Sequence, residues 1–481
     1  MKLRDDAVSR CSEMWERAEL GDPRRTRRLV EMAKCIARRP AAPLPVALGT
    51  DAAVQGAYRL VNNRRMDFAT LMAVQGEMTR LRAEEEADGD VLVLHDTTDC
   101  SFPHLDPEEV GYLNTGKAGF RLHGSLAVHA AGWRRPIGVV AAETIHRAKP
   151  RRTTRGAKPS GVETATWEDK EFDRWRRGIE TSQSRLASCR SVIHIADRES
   201  DSYALMHATL AVGGRFIFRV RVDRRGRAVD DADGAWSTVK TIARNLEGRF
   251  EREGPLSARK AKGTLPRSKA HPVRRARVAQ LQFSATRVEV PRPRTLGAPI
   301  PAVLTLNLVH VREVDPEEGE PAVEWLLYTT EPVETVADVE RVVDHYRTRW
   351  LSEELHGALK GGVAFESREF ESRHALLNIL ALSLPVACEI LALRSGARAA
   401  DARPATAVLP AHLLRTLRTI SHYPLAKNLT ASDALLAVAA LGGHLKRNGD
   451  PGWKVISRGM TELMVHDAAG ARRVSSRKGD L

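Results

Sequence analysis

Three acidic residues sit where a metal-dependent active site would need them. Asp96 ends an apolar run, Val91 to His95, and is followed by Thr97 and Thr98. Asp197 ends a second run, SVIHIA, and leads into Arg198, Glu199 and Asp201. Glu353 lies far downstream in YRTRWLSEELHGALK, residues 346–360. Open α/β sheets present active-site groups by delivering a side chain at the C-terminal end of a buried strand. Three carboxylates from three separate elements can hold two divalent cations. Such a pair activates water or a hydroxyl and stabilises the leaving oxygen in phosphoryl transfer. Two strand-end aspartates and one helical glutamate also occur by chance in α/β proteins, so position alone does not make them converge.

The stretch around Glu353 adds a second pattern. Tyr346, Arg349, Glu353 and Lys360 are spaced so that all four fall within about 60° on a helical wheel. Leu351, Leu355 and Leu359 form the opposite ridge. One face can pack on a protein body while the other offers a phenol, two cations and a carboxylate, a set that suits phosphate. Gly357 falls on the polar face and would admit a bulky ligand. The same pattern describes an amphipathic surface helix with solvated charges.

The rest of the chain reads as the scaffold for these groups. Residues 1–68 read as short helices. Asp22-Pro23 and Thr50-Asp51 are helix starts, with Asp22 and Thr50 as N-caps and Pro23 at the first helical position. Arg24, Arg25, Arg27 and Arg28 crowd the first turn of the helix after Asp22, where cations oppose the macrodipole. A phosphate ligand would explain that cost. A helical cap with solvated arginines fits the composition equally well. Residues 69–371 read as α/β. Strands are expected ending at Asp96 and Asp197, a hairpin over 120–147, and a strand over 215–225 that places Arg219 and Arg221 on one face. A β-rich insertion spans about 226–324, and WLLYTTEP (325–332) resumes the sheet. Residues 372–481 read as helical and apolar, with disorder after about 466. Two basic loops, 149–158 and 257–277, could lie on a phosphate backbone.

Composition narrows the partners. Lys and Arg number 75 against 61 Asp and Glu, a net charge of +14, and the sequence pI is about 9.8. A polyanionic partner follows, nucleic acid ahead of a membrane surface. The five cysteines are scattered, without a zinc-ligand spacing or a disulfide framework. The first ten residues, MKLRDDAVSR, contain no apolar leader segment, and no membrane-spanning run is expected, so a cytoplasmic protein is the expectation.

Asp96-Thr97-Thr98, Asp197-Arg198-Glu199 with Asp201, and the Tyr346, Arg349, Glu353, Lys360 signature together resemble the DDE-type bacterial cut-and-paste transposases. The resemblance is to the insertion-sequence-four-like subgroup with the YREK signature. LGDPRRTRRLV (20–30) and QGAYRLVNN (55–63) resemble its N-terminal DNA-binding domain, and ALGGHLKRNGDPGW resembles its C-terminal domain. The resemblance implies a ribonuclease-H-like catalytic core over 69–371, interrupted by the insertion. It implies a helical DNA-binding domain over 1–68 and a helical dimerisation domain over 372–481. Asp96, Asp197 and Glu353 would bind two Mg2+ or Mn2+ ions. Tyr346, Arg349 and Lys360 would hold the adjacent phosphate, Trp325 would stack on a flipped base, and Arg219 and Arg221 would lie near the DNA. The partners implied are double-stranded DNA, as terminal inverted repeats and target, and a second copy of the chain in a synaptic homodimer.

Bland alternatives accompany several residues. Trp325 could be a core residue, and Arg219 and Arg221 solvated strand charges. Glu199 and Asp201 fit a supporting or capping role better than metal binding. His356 could touch phosphate or serve structure. Ser352 stands where an apolar residue is commoner. Two other functions fit the same residues: a catalytically silent DNA-binding repressor, and a ribonuclease-H-like nuclease.

Overall fold

The computed structural model describes residues 7–86, 89–149, 171–189, 191–229, 235–258, 273–320, 322–370, 372–399 and 401–479. Of the basic loops, residues 150–158 and 259–272 lie outside the described residues. In chain order the elements begin with helices α1 (Ala7–Glu16), α2 (Pro23–Arg38), α3 (Leu44–Leu48), α4 (Asp51–Val61) and α5 (Phe68–Glu86). Next come β1 (Val91–Ser101), the short α6 (Pro107–Val110), β2 (Gly119–His129), β3 (Pro136–Ile145), α7 (Arg174–Arg185), β4 (Val192–Ala196) and α8 (Tyr203–Ala211). They are followed by β5 (Arg215–Arg219), β6 (Arg225–Ala228), β7 (Ser237–Thr238), α9 (Val239–Asn245), β8 (Phe250–Leu256), β9 (Arg277–Pro291), β10 (Val303–Glu313) and β11 (Glu324–Thr329). The chain continues through α10 (Val336–Thr348), α11 (Trp350–Gly357), a π turn (Ala358–Gly362), α12 (Arg373–Ala397), α13 (Ala411–Ile420), α14 (Ala431–Leu441) and α15 (Trp453–Gly479). The architecture is mixed α/β, as expected.

Two compact units form, neither a single run of chain. The first comprises Met1–Ala157, Thr181–Ser191 and Trp350–Leu481; the second comprises Lys158–Glu180 and Val192–Arg349.

In the first unit, β1, β2 and β3 form an antiparallel sheet. β1 pairs with β2 along its whole length, from Val91 opposite His129 to Ser101 opposite Gly119. The strand therefore does not end at Asp96, as the apolar run predicts. Thr97 and Thr98 are β-branched and suit a strand, and His95 and Thr97 find buried partners across the ladder. Ser125 Oγ lies 2.9 Å from His95 Nδ1, and Thr97 Oγ1 lies 2.9 Å from His123 Nδ1. At the edge strand β3, Val139 O accepts from Thr79 Oγ1 of α5 at 3.2 Å, and Val140 O accepts from Arg185. Carbonyls that could template another strand are thereby engaged.

Helix α12 is the spine of this unit. It is capped by Ser372, whose Oγ accepts from Ala375 N at 3.2 Å. It is apolar on nearly every face, as a helix surrounded by protein should be. By length and composition it could cross a membrane, yet 83% of its apolar window is buried inside the fold. Gln75 of α5 donates to Ala381 O at 2.6 Å, and Asn378 donates to Val61 O and Met66 O, each at 2.9 Å. Beyond it α14 and α15 cross closely. A Cβ on Gly459 would lie 1.7 Å from Val438 O, and one on Gly442 would lie 2.0 Å from Val455 O. The disorder expected after about residue 466 is not found: the backbone of α15 stays helical to Gly479. The segment lacks an apolar stripe, but its Ala and Arg residues favour helix.

In the second unit, β4 and β5 are parallel, joined by the crossover helix α8. β11 then pairs antiparallel with β5, β10 with β11, and β9 with β10. β6 and β8 both pair with β9. One face of this mixed sheet packs Phe216, Phe218, Leu306 and Tyr328 against Trp175 and Tyr203. The β-rich character expected of 226–324 is present.

Candidate active-site residues and DNA-facing surfaces

The first unit places Asp96 in the middle of β1. Its cross-strand neighbour is Gly124, where an added Cβ would meet nothing within 4 Å, so the space beside the carboxylate is open. Asp96 Oδ1 accepts from Thr97 N at 2.8 Å, and Oδ2 accepts from Ser352 Oγ at 3.1 Å. His356 Nδ1, one turn beyond Ser352, is 3.9 Å from the same Oδ2. Glu353, half-buried, is the residue after Ser352 in α11. Lys360, in the π turn, donates to Asp99 O and sits 3.5 Å from Glu366 Oε1. The eight steps from 352 to 360 rise about 12 Å at helical pitch, and the three strand steps from 96 to 99 span about 10 Å. The helical segment therefore runs alongside β1, Ser352 at one end and Lys360 at the other. Burial pushes the Cys100 thiol, next along β1, up to about 12, so it supplies no thiolate.

The single helix expected over 346–360 is three pieces. α10 ends at Thr348, α11 starts at Trp350, and the helix widens at 358–362, where Val363 N bonds Ala358 O five residues back. Gly357 does not make room for a ligand. An added Cβ would lie 2.5 Å from Trp453 Nε1, so the glycine admits the indole of α15. Leu355 and Leu359 are buried as expected, and Leu351 is half-buried.

The second unit holds the remaining candidates. Asp197 directly follows β4, as expected, and its Oδ1 accepts from Glu199 N at 2.8 Å, capping a 3-10 turn over Arg198–Ser200. Glu199 pairs with the buried Arg174. Asp201 is a structural clamp. It is ion-paired with Arg224, accepts from Arg221 N at 2.5 Å and Val222 N at 2.7 Å, and its main-chain oxygen accepts from Arg224 Nη2 at 3.0 Å. That clamp explains a correction. The strand expected over 215–225 stops at Arg219, because Asp201 captures the next two free amides and takes the chain out of the ladder. Arg219 and Arg221 consequently do not share a strand face. Arg219 lies opposite Leu327 and donates to Glu324 O at 3.3 Å, whereas Arg221 is exposed beyond the strand.

Trp325 is the second residue of β11, half-buried, its ring 6.3 Å from that of Tyr346 at 57°. Tyr346 is only 5% exposed, so most of its ring packs within the protein rather than on an open polar face. Arg349 closes α10, its N–H donating to Tyr346 O at 3.0 Å, with the residue half-buried.

At the N-terminus both predicted caps are present. Asp22 Oδ1 accepts from Arg24 N at 2.8 Å, and Thr50 Oγ1 accepts from Ala53 N at 3.3 Å. The Arg24 amide, aided by its guanidinium, holds the Asp22 carboxyl below its usual range. The Arg24 side chain is 88% exposed. Arg25 folds back onto Leu20 O at 2.8 Å. Arg28 is exposed, its guanidinium resting beside Gly56 of α4.

Among the described residues no three His, Cys, Asp or Glu side chains are gathered as a ready metal site. Asp96 and Glu353 belong to the first unit and Asp197 to the second. Their oxygens are hard donors of the kind Mg2+ and Mn2+ prefer. The Thr97 amide and the Ser352 hydroxyl orient the Asp96 carboxylate. Asp201, expected to support Asp197 or cap the next helix, clamps Arg224 and the Arg221 and Val222 amides. The sequence marks Ser352 only as a hydroxyl where an apolar residue is commoner and does not single out Arg224.

Residues 11–66, from within α1 through α4 to just before α5, match the family model described as transposase DNA-binding. The match supports a DNA-binding transposase, with DNA as the partner of the N-terminal helices.

Proposed function

We propose that this chain is a metal-dependent DNA transposase of the insertion-sequence-four-like, YREK-bearing type. It would bind transposon terminal inverted repeats, cut them through a hairpin intermediate, and join the 3′ ends to target DNA as a homodimer. One observation carries this function: the match of residues 11–66 to a transposase DNA-binding family. The oriented Asp96 beside Glu353's helix supports it. Exposed Arg24 and Arg28 would contact end phosphates, with Arg25 bracing the loop at Leu20. Mg2+ or Mn2+ ions held by Asp96, Asp197 and Glu353 would supply an activated oxygen nucleophile and neutralise charge on the leaving oxygen. Tyr346, Arg349 and Lys360 would hold the phosphate next to the cut. The Trp325 ring beside Tyr346 would receive the flipped base.

The test is product analysis on DNA bearing the terminal repeats, with Mg2+. Asp96→Asn, Asp197→Asn and Glu353→Gln should each abolish nicking and leave end binding largely intact; full nicking by any one refutes the assignment. Trp325→Ala should lose hairpin formation more than nicking. Simple nicks without hairpins or joined products would instead indicate a nuclease, and binding without cleavage a repressor.

A further inference from the structure

We propose that Ser352 is a positioning residue for the Asp96 carboxylate, fixing the orientation in which it meets a divalent cation. The proposal rests on Asp96 being a metal ligand, as proposed above. Ser352 is 2% exposed, and the Asp96 side chain is 15% exposed. Ser352 directs Oγ across to β1 and donates to Asp96 Oδ2 at 3.1 Å. Thr97 N donates to Oδ1 at 2.8 Å. The terminal torsion of an aspartate is broad when unconstrained. Here each oxygen has its own donor, one from the strand and one from the helix, so the plane of the carboxylate is set before any ligand arrives. Gly124 opposite leaves that side of β1 open. The hydroxyl also ties the helix that carries Glu353 to the strand that carries Asp96. One contact therefore sets both the angle of one acid and the register of the element bearing the next. Partners of this kind typically alter metal affinity by 10–100-fold when removed.

The experiment uses the full-length protein and Mn2+ alone, read by electron paramagnetic resonance and by titration calorimetry. Ser352→Ala should weaken Mn2+ binding about tenfold or more. The Mn2+ concentration giving half-maximal nicking should rise by the same factor. Ser352→Thr, which keeps the hydroxyl, should restore both. Ser352→Cys, close in size but a poor donor, should fall between, and it serves if the alanine variant does not fold. Unchanged Mn2+ affinity in Ser352→Ala, or failure of the threonine variant to restore it, overturns the proposal. Asp96→Asn separates the two levels. If it binds Mn2+ like the parent, Asp96 is no ligand and both ideas fall. If it loses Mn2+ while Ser352→Ala keeps it, only the positioning role falls.

Discussion

Replacing Asp201 tests whether the acidic cluster after β4 has been divided correctly between chemistry and structure. The Asp201 and Arg224 side chains are 1% and 6% exposed, and the carboxylate also caps the Arg221 and Val222 amides. Asp201→Ala leaves a buried guanidinium without its counter-charge and strands two amides. Removing one partner of a buried ion pair costs about 3–5 kcal/mol, and each abandoned amide adds roughly 1–3 kcal/mol unless water reaches it. A loss of at least about 4 kcal/mol is expected on those terms. Asp201→Asn keeps an acceptor for the amides and should cost less. Equilibrium urea unfolding, followed by tryptophan emission and far-ultraviolet circular dichroism, measures both, and Asp201→Ala/Arg224→Met tests the pair. Removing both charges should recover a large part of the loss, since an apolar pair often replaces a buried ion pair at little cost. A loss below about 1 kcal/mol in Asp201→Ala, with Mn2+ affinity falling sharply, would make Asp201 a ligand and refute the division.

Three further outcomes follow from the geometry. Gly357→Ala forces a Cβ against Trp453 and should cost about 1–3 kcal/mol in thermal or chemical unfolding; unchanged stability with weakened DNA binding would return Gly357 to a ligand-facing role. Burial lowers His194 to about 3 from its ordinary 6.5, so the unfolded chain takes up a proton first as pH falls. Stability should therefore decline between pH 6.5 and 3 by roughly 1.4 kcal/mol per pH unit from this residue, and His194→Phe should flatten that slope; an unchanged slope contradicts the burial argument. Arg24→Ala should reduce the dependence of log K on log salt for duplex binding by about one unit if Arg24 meets a phosphate; an identical slope would leave it a solvated charge.

How much could be read ahead varied with how local the cause was. Asp22 and Thr50 were legible as caps because a cap is decided within four residues. Asp197 was legible because an apolar run stops there and the Glu199 amide, two residues on, closes onto it. Asp96 was misread as a strand end because what extends β1 is pairing with residues 119–129, invisible in a window around 96. The end of β5 was misread for the same reason: an acid some twenty residues earlier removes its amides from the ladder. The YREK spacing assumed one uninterrupted α-helix, whereas the chain breaks at 349 and widens at 358. The resulting π turn and the indole against Gly357 come from packing on α12 and α15, which no local spacing encodes. Ser352 showed only as an oddity, since its meaning lies in a contact with Asp96 some 250 positions away.

The scattered make-up of the first unit bears on how the protein is born. The ribosome releases α1 to α5 well before α12, yet Val61, Met66 and Gln75 bond to residues of α12. During synthesis the DNA-binding helices must wait for their packing partner while all of the second unit emerges between them. The second unit, whose described strands and helices are finished by Arg349, can mature first. A nascent chain halted near residue 350 would carry a set of N-terminal helices whose apolar faces still await cover, a form suited to chaperone capture rather than to stable operation.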